Sequence, residues 1–360
     1  MRVMVCWAGM QGYIASCLRQ LGSLDGVELH VVYLDFRDLP LREDLLAGVS
    51  NTRLIARDAN AQLTAQVEAY APDVVLLCGW FYRPYRRLLR SAKLQSSAFV
   101  LGMDTPWVGS WKQQFNRLRL ASFVRRLDRV VVAGSQSREL AVKLGVPAGR
   151  IRTGLYGFDF SAFAAERERL NAAGGEWPRR FLFAGRYVAP KGLGVLVDAY
   201  RRYRRSVPDP WPLHVCGAGP EAWRFASEEG VVDLGYVQPS ALPDVFGAHG
   251  VFVLPSLHEP WGVALAEAAA TGLPLICTAA CGAAEQLLDG DGNGIKVVAG
   301  DPAALAGAMA WMHQHVERLP SMGARSADLA RQHSASAWAT RMVGVFQEVL
   351  VERGVPISAT

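Results

Sequence analysis

Residues Pro255–Pro274 read PSLHEPWGVALAEAAATGLP and follow the apolar run Gly250-Val251-Phe252-Val253-Leu254. That run has the length and β-branched content of a strand buried in a parallel sheet. Pro260 suits a first helical turn and Gly272 a helix stop, so the spacing predicts a helix over Pro260–Thr271, about three turns long. Val263, Leu265, Ala266, Ala268, Ala269 and Ala270 make that helix apolar on nearly every face, which marks it as buried. Yet it carries Glu267, and Glu259 stands just before it. A buried carboxylate is costly unless it is paired or hydrogen-bonded. A helix start also offers unpaired N–H groups to an anion. Two acids beside an anion site ask for a polyhydroxylated, phosphorylated ligand.

Outward from this stretch, short strand-like runs alternate with helical patterns. In the second half they are Phe181–Ala184, Leu213–Cys216, Val231–Leu234, Val251–Leu254, Leu275–Thr278 and Ile295–Val298. In the first half they are Arg2–Cys6, Glu28–Leu34, Thr52–Ile55, Asp73–Cys78, Ser97–Leu101, Arg129–Ala133 and Arg150–Thr153. This predicts two α/β, doubly wound, Rossmann-like domains facing each other across a cleft, with ligands beyond the carboxyl ends of the strands. At 360 residues two domains are expected. They are placed at 1–160 and 161–339, and the charged segment Glu166–Arg179 is expected to form the crossing. A last helix, beginning near Ala335 and assigned to about 340–360, is expected to return to the first domain.

Several turns at strand ends are candidate ligand contacts. Gly185-Arg186-Tyr187-Val188-Ala189-Pro190-Lys191-Gly192 runs from a strand into a helix start, where two cations and free N–H groups can converge on an anion. Cys216-Gly217-Ala218-Gly219-Pro220 is a second glycine turn on that edge. Leu234-Gly235-Tyr236-Val237 can hold a flat base through backbone and ring contacts. In the first half, Trp7-Ala8-Gly9-Met10-Gln11-Gly12 either admits a ligand to the backbone or is a plain tight turn. It lacks the GxGxxG of a dinucleotide site. Gly79-Trp80-Phe81-Tyr82-Arg83-Pro84-Tyr85 sets aromatics beside arginines. Asp104, in Gly102-Met103-Asp104-Thr105-Pro106-Trp107, is either catalytic or the cap of the next helix.

Composition excludes other classes. With 51% hydrophobic and 20% charged residues the chain is an ordinary globular protein. The N-terminus starts as a strand without signal-peptide regions, and no apolar run approaches a membrane span. Six scattered cysteines lack zinc or disulfide spacing, so a reduced, cytoplasmic protein is expected. Net charge is +5, and eleven Lys or Arg stand against Asp104 and Asp128 between Phe81 and Arg129. There Leu118, Leu120, Phe123, Val124 and Leu127 alternate with arginines in helical spacing. The segment suits peripheral contact with the inner, anionic face of a membrane, or a pyrophosphate-bearing acceptor, or is a solvated helix packing its stripe on its own sheet. Nucleic acid is disfavoured, because no binding module accompanies the charge.

Taken together, Gly185, Arg186, Lys191 and Gly192, the spaced pair Glu259 and Glu267, the trailing Gly282-Ala283-Ala284-Glu285, and Asp289-Gly290-Asp291-Gly292-Asn293-Gly294 resemble retaining GT-B glycosyltransferases. The family is the GT4-like glycosyl transferases group 1, and Tyr156-Gly157-Phe158-Asp159 resembles its N-G-V-D. The resemblance implies transfer of a hexose, with retention, from a nucleotide-diphosphate sugar to an acceptor hydroxyl. UDP-sugar is preferred over GDP-sugar, no metal or other cofactor takes part, and no protein nucleophile is needed. Arg186 and Lys191 would neutralise the diphosphate, and Glu267 would take the ribose hydroxyls. Glu259 would hold the donor sugar beside the N–H groups of Trp261, Gly262 and Val263. Gly9, Gly12, Gly185 and Gly217 would let backbone approach the ligand, with Tyr236 and Val237 at the base. The acceptor would be a saccharide, lipid-linked or part of a surface polysaccharide. One departure stands out: Met103-Asp104 occupies the place of a His-Asp pair. Asp104, with Trp107, is expected on the acceptor or sugar side. The alternative is a non-catalytic GT-B subunit that binds a nucleotide-sugar or glycan. An epimerase fits the four charged residues less well, and an NAD dehydrogenase lacks its fingerprint.

Overall fold

The computed structural model describes residues 1–35, 44–55, 59–79 and 81–355; Trp80, singled out above, lies outside them. The chain divides into two units. Among the described residues the first unit takes those up to Gly157 and those from Ala335 on, and the second is Phe158–Ser334.

The first unit runs β1 (Arg2–Trp7), α1 (Gly12–Gly22), β2 (Glu28–Asp35), β3 (Asn51–Ile55), α2 (Ala59–Tyr70), β4 (Val74–Cys78), α3 (Arg83–Leu88), β5 (Ala98–Met103), α4 (Trp111–Val124), β6 (Arg129–Val132), α5 (Ser135–Lys143) and β7 (Ile151–Thr153). Its seven strands form one parallel sheet in the order β3-β2-β1-β4-β5-β6-β7. Strands β4 and β5 are buried along their whole length, as near-continuous apolar runs in a parallel sheet must be.

In the second unit α6 (Phe160–Ala173) leads into β8 (Phe181–Ala184), α7 (Leu193–Ser206), β9 (Leu213–Cys216), β10 (Val231–Asp233), α8 (Leu242–Gly247), β11 (Val251–Leu254), α9 (Val263–Ala270), β12 (Leu275–Thr278), α10 (Ala284–Leu287), β13 (Gly294–Val297), α11 (Pro302–Gln314) and α12 (Leu319–Ala330). The sheet is again parallel, in the order β10-β9-β8-β11-β12-β13. The last helix, α13 (Ala335–Glu352), packs on α1, with the Trp338 indole donating to the Leu155 carbonyl at 2.7 Å.

In both sheets the strand order reverses once, between β1 and β4 and between β8 and β11. Loops leaving neighbouring strands on opposite sides of such a reversal open a crevice at the carboxyl edge. The Gly9–Gly12 turn and the Gly79 turn leave β1 and β4. The Arg186–Lys191 turn and the Glu259 loop leave β8 and β11.

The structure corrects three expectations. The helix starts at Val263 rather than Pro260, because the preceding residues pair elsewhere: Glu259 N–H donates to the Ala280 carbonyl at 3.2 Å, and the Glu259 and Trp261 carbonyls accept from Gly282 and Ala283. Residues Glu166–Arg179 are no simple crossing; their first half lies in α6. That helix is fixed inside the second unit by Phe163 against Phe246 at 5.4 Å and by Arg167, which donates to the Thr271 carbonyl at 2.8 Å. The last strand begins at Gly294, where a side chain would meet the Leu275 carbonyl at 2.3 Å. Of the alternatives open for the basic segment, its apolar stripe takes the one of packing on its own sheet: Leu120, Phe123, Val124 and Leu127 join the core beside β5 and β6, while the Leu118 side chain is outside the described set. No helix among the described residues is long and apolar enough to cross a membrane.

Candidate functional site

In the second unit three consecutive strand ends are tied by their glycines. Gly217, at φ 152°, stands so close to the Gly185 carbonyl that a Cβ would sit 1.9 Å from it. Gly185 N–H donates to the Cys216 carbonyl, and Gly217 N–H to that of Gly235. Tyr187 closes the group by donating its hydroxyl to Asp233 at 2.7 Å, and Asp233 also accepts from Gly235 N–H. Only glycine permits this approach of backbone to backbone. It leaves Arg186 projecting into solvent, without an ion pair or hydrogen bond among the described residues.

Lys191 ends a single turn of 3₁₀ helix, and Gly192, at φ 69°, turns the chain into α7. A Cβ on Gly192 would be 2.3 Å from the Pro255 carbonyl. Leu257 N–H donates to the Pro190 carbonyl at 2.8 Å, so the loops after β8 and β11 are knitted across the strand-order reversal. His258 N–H reaches the same carbonyl, which gives this histidine a part in shaping the loop. The outcome is an ion pair between the Lys191 ammonium and the Glu259 carboxylate, both largely sheltered, with side chains 15% and 11% exposed. The Ser256 hydroxyl adds a hydrogen bond to the same carboxylate at 3.2 Å. Ser256 was not singled out from sequence, although its place three residues before Glu259 was the available signal.

Gly262, at φ 103°, caps α9, and a Cβ there would press on Cys281 Sγ at 2.7 Å. The first turn of α9 has no side-chain cap, which leaves the N–H groups of Val263 and Ala264 for a ligand, while that of Leu265 turns back to the Gly262 carbonyl at 3.0 Å. Trp261 is buried edge-on to His333 at 5.2 Å and supports the loop through its backbone. Glu267 lies in the middle of α9, half-buried, and no group among the described residues pairs with its carboxylate. Desolvation pushes its pKa up to about 7. Its negative charge adds to burial in raising the Cys216 thiol, which places Glu267 beside the end of β9. A sheltered acid without a partner is a candidate binding group. Tyr236 and Val237 follow β10 on the same edge, both half-buried.

In the first unit Gly9 has φ 92° and Gly12 opens α1. Ala8 N–H donates to the Cys78 carbonyl at 3.2 Å, which holds the β1 and β4 turns together. Asp104 directly follows β5. It is not a helix cap, because Ser110 caps α4, accepting from Gln113 N–H at 3.4 Å. Instead Asp104 accepts from the Tyr156 hydroxyl at 2.7 Å, and the Tyr156 ring meets Tyr13 edge-on at 5.7 Å. Burial and the neighbouring Tyr13 and Asp104 keep the Tyr156 phenol protonated. Tyr13, one residue past Gly12, thus links the glycine turn to Asp104. Trp107 points elsewhere, with Lys143 over its ring at 5.9 Å. Met103 is buried in the core. Among the described residues no three His, Cys, Asp or Glu side chains form a metal set.

Known proteins share this plan. A family described as glycosyl transferases group 1 matches residues 178–315, and a glycosyl transferase 4-like domain matches residues 8–157. D-rhamnosyltransferase WbpZ of Pseudomonas aeruginosa is 26% identical over 260 residues, 65% of this chain and 65% of that protein. Glycogen synthase of Mycobacterium tuberculosis is 28% identical over 246 residues, 65% of this chain and 56% of its own length. The chain therefore aligns with less than two thirds of each of these curated relatives. Anabaena HepE, solved in complex with UDP and glucose, has the same fold at a TM-score of 0.72 and 16% identity, covering 97% of this chain and all of that one. With both units matched and the GT-B fold shared, the chain belongs to the GT4-like glycosyl transferases group 1.

Proposed function

We propose that this protein is a retaining hexosyltransferase that moves a sugar from a nucleotide diphosphate to an acceptor hydroxyl. The observation that carries this reading is the Lys191–Glu259 ion pair beside an unpaired Arg186, at the strand-order reversal of the second sheet. Arg186 and one of the three ammonium donors of Lys191 bind the diphosphate and stabilise it as it leaves, a task for which the reading needs no metal. Glu259, oriented by Lys191 and Ser256, accepts from hydroxyls of the donor sugar. Glu267 accepts from the ribose. The leaving phosphate takes the acceptor proton as the new glycosidic bond forms on the same face of the sugar, so the anomeric configuration is retained.

UDP is the preferred nucleotide; the UDP and glucose held by Anabaena HepE support that choice. For the acceptor a lipid-linked saccharide of surface-polysaccharide assembly is proposed, reached by peripheral contact of residues 81–129 with the inner face of an anionic membrane. The basic first half supports this.

The experiment is a thermal-shift screen against UDP-, GDP- and ADP-sugars, followed by transfer assays with anomer-resolved product analysis in chelator. Stabilisation by a UDP-sugar and an α-product from an α-donor are expected. Buried Met103 in the place of the family's histidine favours a second reading, a nucleotide-sugar-binding subunit without catalysis. Donor binding with no turnover, towards acceptor or water, would select it.

A further inference from the structure

The arginine-rich segment of the first unit presents an exposed surface that carries cations and large apolar side chains together. Helix α4 turns its core-facing residues inward, yet its first turns expose large apolar side chains: Trp111 is 74% exposed and Phe115 61%. Val108, just before the helix, and Phe81, in the turn after β4, are each 63% exposed. Both turns lie on the carboxyl edge, since β4 and β5 pair in parallel. Trp111, Phe115 and Arg119 succeed one another at steps of four residues, so they share one face over about 12 Å of helix.

At the far end of that face Arg119 approaches Arg86 of α3. Burial first, and then the charges of Arg119, Arg83 and Arg90, depress the pKa of Arg86. The acids of the region are spent elsewhere: Asp128 on Arg353, and Glu68 on Lys93. Arg129 turns inward to Glu352 and Glu348. Among the described residues Arg83, Arg86, Arg87, Arg90, Lys112, Arg117, Arg119 and Arg125 form no ion pair. Crowding cations that repel one another is costly without an external anion, and aromatic side chains at such exposure are costly without an apolar phase.

We infer that this face of α4, with the α3 arginines and Phe81, docks on an anionic phospholipid surface. Trp111, Phe115, Val108 and Phe81 enter the headgroup and acyl boundary, and the arginines meet the lipid phosphates. The charge is what selects this occupant. A second copy of the chain would bring the same unpaired arginines together, and an apolar protein partner would leave them unmatched. The docking is a more specific form of the peripheral contact proposed above and rests on that reading only for the acceptor. Vesicle binding without sugar transfer leaves docking intact and removes the enzyme. Transfer to a water-soluble acceptor without vesicle binding does the reverse.

The test is cosedimentation of the full chain with vesicles of phosphatidylcholine mixed with phosphatidylglycerol, against phosphatidylcholine alone. Binding to the anionic vesicles only, weakening with salt, is expected. Trp111→Ala with Phe115→Ala should lower the partition coefficient about tenfold or more. Arg86→Glu with Arg119→Glu should lower it about 25-fold or more, at roughly fivefold per removed cation. Unchanged unfolding temperatures in both variants separate lost docking from lost folding. No binding to anionic vesicles at low salt would overturn the inference. So would vesicle binding that both double variants retain in full. Capture by heparin without capture by vesicles would assign the cations to a soluble polyanion and overturn it equally.

Discussion

Lys191 and Glu259 come from loops that leave two adjacent strands, and their side chains close on each other as an ion pair that Ser256 supports from below. The pair holds a cation and an acid together, so on the proposed reading neither must be recruited from solvent when the donor binds. Lys191→Met should therefore do two things: abolish most turnover, and destabilise the fold by about 1–3 kcal/mol by stranding a sheltered carboxylate. Adding Glu259→Gln should restore most of the lost stability and none of the turnover. Thermal unfolding and initial rates on the four members of the cycle check both.

The Arg186 side chain forms no ion pair or hydrogen bond among the described residues, so its role separates from stability. Arg186→Ala should leave the unfolding temperature unchanged and lower kcat by about 10²–10³-fold, the usual loss when one donor to a developing charge is removed. Unfolding curves and steady-state kinetics on the same preparation provide the check.

Glu267 titrates close to neutrality. Its pKa is raised to about 7 in the folded chain against 4.5 ordinarily, so the native state holds a proton that the unfolded state has lost between those values. Stability from this group is full below about 4.5 and falls as pH rises towards 7, by up to about 3 kcal/mol. Ribose hydroxyls favour the ionised acid, so affinity for a UDP-sugar, which has no phosphate titrating in this range, should rise as pH passes 7. Glu267→Gln should flatten both profiles. Denaturant titrations and calorimetry between about pH 5 and 8 measure them.

Tyr156→Phe removes the hydroxyl that Asp104 accepts from. A cost of about 1–2 kcal/mol is expected for a half-buried carboxylate deprived of its donor. If Asp104 serves the reaction, kcat should drop with it while the donor's Kd stays put; isothermal titration and kinetics together decide.

Gly217→Ala should be far more damaging than its one added methyl suggests. The Cβ has only 1.9 Å to the Gly185 carbonyl at a φ that other residues avoid. The three strand-end turns must then separate, so unfolding temperature and nucleotide affinity should fall together.

The strands and their parallel sense were legible because a strand buried on both faces is written as an uninterrupted apolar run with a glycine turn after it. Residues 181–184, 213–216, 251–254 and 275–278 are strands to the residue. Pro260 suits a helix start in isolation, but its neighbours Glu259 and Trp261 pair with Ala280, Gly282 and Ala283 some twenty positions on, which local spacing does not show. The stripe through Leu120, Phe123 and Val124 was read correctly as amphipathic, but periodicity does not tell which apolar face meets a core. Trp111 and Phe115, on another face of the same helix, therefore passed unnoticed. The Tyr156–Asp104 bond spans fifty-two positions, and local spacing carries no trace of such a contact.

The second unit enters and leaves the chain at one place. Phe158 N–H donates to the His333 carbonyl at 3.1 Å, and Phe158 and Ser334 pair as a parallel bridge. Topologically, residues 158–334 are an insertion whose two ends are already sewn together. Cutting at both points severs no strand of either sheet and opens no long loop that would need closing. Residues 158–334 should thus tolerate excision, or joining of their ends and reopening elsewhere by circular permutation, with their hydrogen-bonded seam intact.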